Sequence, residues 1–503
     1  MLATYWNTIR YLRPAQVYGR LHRRGPRLRP AVGVRARAHK GNCVRSISRL
    51  PAQTGKNRFC FLNQEREIRG WNDAEIPKLW LYNLHYFEHP TDALIERWVR
   101  ENPVGCGNGW EPYPIAIRIL NWIKWALSGG RLDVSALASM AVQAEYLSQT
   151  IEHHLGANHV FADGVALAAA GMFYDDPLAN RWLNKGVDLL RNQIAEQVLE
   201  DGGHYERSPM YHALILESLL DLLNISLVYE LPLEADRALW RGTSSGMLRW
   251  LEMMTHSDGR IAFFNDSVFG VAPEPECLFD YAARLDIQPS EDCGQRESGY
   301  VRLESGDQIL VFDAAPLGPD HQPGHGHADC LSFELSCGSR RVFVNSGIST
   351  YERGAERLWQ RGTAAHNTVR VDEQNQSEVW SAFRVARRAR PFDLKTDGET
   401  FVEAAHDGYQ RLPNPVIHRR RVDLGNRQLI ITDRIEGSGS HRVELFFHLH
   451  PEASPTVVLD EKLERSLIAS YWHPEFGRSI PNSTLVGTWK GPCPVEFVTA
   501  IHL

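Results

Sequence analysis

Pro323-Gly324-His325-Gly326-His327-Ala328-Asp329, running through Cys330 into Leu331-Ser332-Phe333-Glu334-Leu335, is the stretch on which the reading of this chain turns. Its second half alternates apolar and polar residues, the period of a half-buried strand. Cys337-Gly338-Ser339 then reads as a turn into a second strand over 340–345. The same alternation recurs at Thr368–Asp372, Gln428–Arg434 and His441–His450. Many short strands of this kind predict an antiparallel β-sandwich over residues 291–503. Upstream of about residue 295 the apolar spacing is three and four residues, which predicts helices. They fall at Pro114–Leu127, Val134–His153, Asn158–Tyr174, Asn180–Leu199, Pro209–Tyr229 and Ala235–Thr255. Gly129-Gly130, Asp175-Asp176-Pro177, Asp201-Gly202-Gly203 and Ser257-Asp258-Gly259 punctuate them. Short links between successive helices predict antiparallel hairpins over residues 71–290. The expectation is a multidomain α+β protein, helices first and strands second, with a cleft between them.

Composition narrows the functional classes. With 503 residues the chain exceeds one ordinary core. The net charge of −6 hides an asymmetry: residues 1–50 carry twelve Lys and Arg and no Asp or Glu. Residues 1–70 therefore read as a basic extension, with a short helix near 3–24 and irregular chain after it. Such an arm suits an anionic polymer, a membrane surface or acidic patches of its own protein. The eight cysteines are scattered and none forms C-x-x-C, which speaks against a zinc knuckle or a redox motif. No run of about 18 apolar residues predicts a transmembrane helix. The first residues lack the apolar core of a secretory signal, so the expected location is cytoplasmic, or periplasmic if a leader is removed. No nucleic-acid partner is expected.

Five stretches carry side chains suited to chemistry. In the first, two histidines at i and i+2 each follow a glycine, which tolerates positive φ and lets backbone approach a ligand. Histidine both titrates near neutrality and ligates metals. Gly156-Ala157-Asn158-His159 opens a helix, where Asn158 serves either as an N-cap or as an amide facing the cleft. Arg207-Ser208-Pro209-Met210-Tyr211-His212 enters another helix, with Ser208 as N-cap and Tyr211 in the first turn. There a tyrosine can donate a proton and return to phenolate near the positive helix end. Asn345-Ser346-Gly347, with Tyr351 beyond it, and Ala365-His366-Asn367-Thr368 complete the set. His327, Asn345 and His366 at strand edges could hold one divalent ion, zinc by the ligand types, although a neutral amide is a poor zinc ligand. An amide, a phenol and imidazoles facing one another fit β-elimination at a uronic acid. That reaction needs the carboxylate neutralised, the C5 proton removed and the departing O4 protonated.

On Asn158-His159, Ser208-Pro209-x-Tyr211-His212, Gly324-His325-Gly326-His327-Ala328-Asp329, Asn345-Ser346-Gly347 and Ala365-His366-Asn367-Thr368, the chain resembles the heparinase II/III-like polysaccharide lyases. The resemblance implies an N-terminal (α/α) toroid followed by an antiparallel β-sandwich, and a lyase acting on an acidic, uronic-acid-containing polysaccharide. It implies that Asn158, with His159, neutralises the uronate carboxylate. Tyr211 would be the acid, and a candidate base on one substrate epimer. His325 would be the base or its partner. His327 and His366 would bind metal, with Asn345 where many relatives have Asp. Arg207, His212 and Tyr351, in the same motifs, are expected to bind substrate. A role in the cell's own surface or exopolysaccharide metabolism follows as an expectation. Two other readings stand beside it. One is a glycoside hydrolase using Asp201 and Glu206 as its two carboxyl groups. The other is a non-catalytic carbohydrate-binding or assembly protein on the same fold.

Overall fold

The computed structural model describes residues 2–21, 25–27, 34–39, 41, 43–292, 294 and 296–503. The helices are α1 (Leu2–Ile9), α2 (Pro14–Leu21), α3 (Lys78–Tyr86), α4 (Asp92–Glu101), α5 (Pro112–Leu127) and α6 (Val134–Gln149). They continue with α7 (Ala157–Phe173), α8 (Pro177–Gln197), α9 (Pro209–Leu227), α10 (Glu234–Met253), α11 (Pro275–Arg284) and the short α12 (Ala355–Gln360). Caps written in the sequence start several of them. Thr91, Asp133, Asp176 and Ser208 each accept a hydrogen bond from a backbone N–H of the first turn.

Helix α7 is buried at every position but His159, so it is a central helix rather than an amphipathic surface one. Its Ala-rich run lets α8 approach closely. A Cβ added to Gly186 would meet the Ala168 nitrogen at 2.4 Å, and one on Gly171 would meet the Leu183 nitrogen at the same distance. Helix α9 alone among the described residues is long and apolar enough to cross a membrane, and most of it is buried within the helical domain.

The last helix of that domain ends at Arg284 and the first strand beyond it begins at Tyr300. Three large antiparallel sheets follow, with a two-stranded ribbon of Val379–Trp380 and Arg384–Val385 beside them. One of four strands runs Tyr300–Ser305, Gln308–Asp313, Phe333–Cys337, Arg340–Phe343. In it Leu335 pairs with Leu310 and Phe343, so the alternating stretch is a central strand. A six-stranded sheet is built on Val416–Gly425, Gln428–Gly437 and Val495–His502. A second four-stranded sheet is built on Ser440–His448, Glu464–Glu475 and Arg478–Pro492. Their inner faces share one core that includes Phe312, Phe333, Phe343, Phe447 and Phe497. Val344, Ile348, Trp472 and Phe476 of the β-domain instead join the helical core, so an apolar seam fixes the two domains against each other.

The N-terminal region differs from the expected single helix and irregular chain. Pro14 splits the helix, since proline restricts the residue before it, and α2 begins at that proline. Gln53–Gly55, Arg58–Phe61 and Gln64–Glu67 form a small antiparallel sheet, too short and too polar to show a clear alternation. The arm's charge is met by its own protein. Arg13 pairs with Glu196, Arg49 with Glu217 at 2.7 Å, and Arg388 lies over the Tyr11 ring at 3.9 Å. The arm also reaches the sandwich domain, since the Gln16 amide donates to the His321 carbonyl and the Trp380 indole to the Thr8 hydroxyl.

Candidate active site and metal pocket

A cavity of about 1220 Å³ lies between the helical domain and the sandwich. Its lining includes Asn158, His159, Tyr211, His325 and Tyr351, which the fold brings together from both domains. A smaller cavity of about 570 Å³ on the sandwich contains none of them.

The helical wall is made by two helix starts. Gly156, at φ +70°, is the residue before α7, and Asn158 sits inside the first turn rather than capping it. Asn158 is buried, within hydrogen-bonding reach of Tyr113. The His159 ring packs on Tyr113 at 4.6 Å between centroids, with Nδ1 at 2.7 Å from the Glu152 carboxylate. The Ser208 hydroxyl accepts from the Tyr211 backbone N–H at 3.2 Å and itself donates to the Asp266 carbonyl at 2.6 Å. The cap thus ties the start of α9 to the segment that carries Asp266. Burial, with the neighbouring Tyr351 and Asp266, holds the Tyr211 phenol well above its ordinary value. It is therefore protonated, the state a proton donor needs.

The β-side wall faces it. The His325 ring lies 4.1 Å from the Tyr211 ring, and the Tyr211 and Tyr351 hydroxyls are 3.1 Å apart. Asp266, wholly buried, joins the wall together. One oxygen accepts from His325 Nδ1 at 2.7 Å and the other from His327 Nε2 at 2.8 Å. Both Nη atoms of Arg357 also donate to it, one at 2.7 Å. Burial opposes ionisation of Asp266, but Arg357 and the two imidazoles outweigh it and hold its carboxyl well below the ordinary range. Burial also lowers His325, which favours the neutral imidazole a base requires. Of the two loop glycines, Gly326 is required by space rather than by positive φ. A Cβ there would lie 2.2 Å from a Leu317 methyl, and the left-handed residue of the loop is Leu331, at φ +61°.

A candidate metal pocket is adjacent. One ligand atom from each of His327, Asp329 and His366 lies within 4.8 Å of the others. His327 Nδ1 and His366 Nε2 are buried with no hydrogen-bond partner, and burial holds the Asp329 carboxyl above its ordinary value. Two orphaned imidazole nitrogens beside a buried carboxyl fit a divalent cation. Asn345, expected as the third ligand, has a different place. Its oxygen accepts from His366 Nδ1 at 3.1 Å and from the Ser332 hydroxyl at 2.8 Å, while its amide donates to the Phe263 carbonyl at 2.7 Å. Asn345 faces His366 Nδ1 instead, and the oxygen in reach of both imidazoles is that of Asp329.

Two further expectations need correction. Arg207 and His212 do not line the cavity. The Arg207 guanidinium donates to the carbonyls of Tyr205 and Ser298, pinning the domain seam. His212 is fully buried against Trp250, with Nε2 donating to the Met247 carbonyl at 2.9 Å. His212 follows Tyr211 by one residue, about 100° around α9, and Arg207 precedes the helix in a left-handed conformation, at φ +56°. The two carboxyls of the hydrolase reading are also absent from the cavity lining. Asp201 accepts from Ser298, and both oxygens of Glu206 are buried without a partner, with burial pushing its carboxyl up to about 8.

Sequence reasoning missed Asp266, Arg357 and Asp329 as site residues. Asp329 was visible in the quoted loop. Asp266 follows the apolar run Ile261–Phe264, and an Asn-Asp pair there was the available signal.

Residues 132–271 match the family model "Heparinase II/III N-terminus", and residues 289–475 match "Heparinase II/III-like, C-terminal". A heparin-sulfate lyase of Bacteroides thetaiotaomicron is 24% identical over 443 residues, which are 76% of this chain and 61% of that protein. The FtsZ-localized protein C of Caulobacter vibrioides is 26% identical over 331 residues, 59% of this chain and 54% of that one. The chain thus spans about three fifths or less of the length of these curated relatives. Among solved structures, one of heparinase III superposes with a TM-score of 0.65 at 17% identity, covering 84% of this chain and 76% of that one. That likeness establishes the fold, a helical toroid followed by an antiparallel β-sandwich.

Proposed function

The chain belongs to the heparinase II/III-like family, and from that premise we propose that it is a polysaccharide lyase that cleaves a uronic-acid-containing polysaccharide by β-elimination. The observation that carries the reading is the Tyr211 ring 4.1 Å from the His325 ring, in the cavity that also holds Asn158 and His159. The Asn158 amide and His159 bind the uronate carboxylate and disperse the charge that develops on it, as a preorganised donor does for an enolate. His325 Nε2 takes the C5 proton, and the electrons of that bond form the C4–C5 double bond. The C4–O4 bond breaks, and the Tyr211 hydroxyl gives its proton to the departing O4. The Tyr351 hydroxyl, 3.1 Å from that of Tyr211, hydrogen-bonds the phenolate so formed until it is reprotonated. A phenol acid and an imidazole base in contact suit this reaction, whereas a hydrolase needs two opposed carboxyls.

His327, Asp329 and His366 would hold one divalent ion, and zinc is our assignment from two imidazoles and a carboxylate. When bound, the ion supplies positive charge that satisfies the buried Asp329 and braces the base of the His325 loop. Relatives named heparin-sulfate lyases support an acidic glycan as the substrate class. A panel of uronic-acid polymers (glucuronate-, iduronate-, mannuronate- and galacturonate-containing, with and without sulfate) tests the reading through the ultraviolet absorbance of the unsaturated product. Absorbance with at least one polymer, lost in Tyr211→Phe, is expected. Reducing ends released without that absorbance would indicate hydrolysis instead.

A further inference from the structure

An ionised carboxylate accepts hydrogen bonds and donates none, so each imidazole nitrogen facing Asp266 carries a hydrogen. A neutral imidazole carries one hydrogen, which leaves its other nitrogen as a lone pair. Asp266 faces Nδ1 of His325 and Nε2 of His327, opposite nitrogens of two rings two residues apart. We infer that Asp266 is a positioning residue for both halves of the site at once. It selects the Nδ1–H tautomer of His325, freeing Nε2 for the cleft, and the Nε2–H tautomer of His327, freeing Nδ1 for the metal pocket.

Three observations carry this. His327 Nδ1 is buried and unpartnered, as a lone pair reserved for an ion would be. Arg357 grips the same carboxylate with both Nη atoms, which fixes its plane and aims each oxygen at one ring. The loop is clamped from its backbone as well. The Asp266 N–H donates to the His325 carbonyl at 3.0 Å, and the Asn265 side chain accepts from the His327 N–H at 2.8 Å. His366 supplies an internal contrast, because its Nδ1 faces the Asn345 amide oxygen rather than Asp266. Asn345 therefore serves only the metal pocket, and Asp266 serves pocket and base together. A carboxylate behind a metal-binding histidine is a familiar device. Here the same carboxylate also stands behind the proposed base.

The test uses the full chain labelled with ¹⁵N in its histidine rings, with and without zinc, the ring signals assigned through His325→Gln and His327→Gln. The wild-type protein should show His325 as Nδ1–H and His327 as Nε2–H, and zinc should move the His327 Nδ1 signal. Asp266→Asn, whose amide donates on one side, should weaken zinc about 10- to 100-fold in competition with a chromophoric chelator. The same variant should lower kcat far more than it changes KM. Asn345→Ser should weaken zinc but leave the His325 tautomer in place. His325 found as Nε2–H, a wild-type protein that binds no zinc, or Asp266→Asn with unchanged zinc affinity would overturn the inference. If Asp266→Asn does not fold, the wild-type tautomers decide it alone. Only the kcat arm rests on the lyase reading. The tautomer and zinc readouts need no substrate, so an inactive protein would count against the lyase reading and not against this one.

Discussion

The two walls of the cleft are built by different means. On the helical side, Asn158 and Tyr211 lie in the first turns of α7 and α9, so the local start of each helix places them. On the sandwich side, His325, His327 and His366 depend on Asp266, Arg357 and Asn345, which come from distant parts of the chain. One wall is positioned by neighbours in sequence and the other by a buried polar network. The difference should appear as a division of labour under mutation. Changes on the helical wall should affect chemistry with little loss of stability, and changes behind the sandwich wall should affect both.

The largest expected effect is Tyr211→Phe. It removes one hydroxyl and keeps the ring, and it should lower turnover by about a hundred- to ten-thousandfold while the melting temperature barely moves. Steady-state kinetics with a cleaved polymer, beside a thermal melt, measure both. Turnover close to wild type would move the donor role to Tyr351. Next is Arg357→Met, which leaves Asp266 buried and unpaired. It should cost about 3–5 kcal/mol of stability in denaturant unfolding, as breaking one partner of a buried ion pair does. A loss as small as that of an exposed pair would make the sandwich wall as local as the helical one.

Glu206 tests the same comparison through pH. Its carboxyl is pushed up from 4.5 to about 8, so the folded protein holds a proton that the unfolded chain releases. Below pH 4.5 both states are protonated and the group is neutral to stability. Between pH 4.5 and about 8 the wild-type protein loses about 1.4 kcal/mol per pH unit from this group as pH rises. Glu206→Gln should remove that slope. Its advantage over wild type in unfolding experiments should be small at pH 5 and should grow toward pH 8. An advantage independent of pH would mean that Glu206 finds a partner in solution. The smallest effect is Ser208→Ala, which deletes the cap of α9 and should cost about 0.5–2 kcal/mol. Because the same hydroxyl reaches the Asp266 carbonyl, a larger loss would show the two walls to be coupled through residue 208.

Periodicity read from the chain located the six long helices α5 to α10 and the strands near residues 333, 340, 369, 428 and 440, because each period reflects burial of one face, a property of a local window; the shorter helices and the other strands were not located. The cap at Ser208 was legible for the same reason, since a cap acts within three residues. Local spacing could also nominate Asn158, Tyr211, His325, His327 and His366, as side-chain types suited to one reaction. It could not say that Arg207 and His212 face away from the cleft. Nor could it show that Asn345 is spent on His366, or that Asp329 supplies the pocket's oxygen. Those facts depend on which donor meets which acceptor once the domains close. The sequence by itself determined the elements, the order of the two domains and the chemical repertoire of the site. The tertiary structure alone decided which acceptor each site histidine faces, because His325 and His327 meet the carboxylate of Asp266, 59 and 61 residues away, and His366 meets Asn345. Hydrogen-bond direction in a buried network follows from three-dimensional contact, and no local period records it.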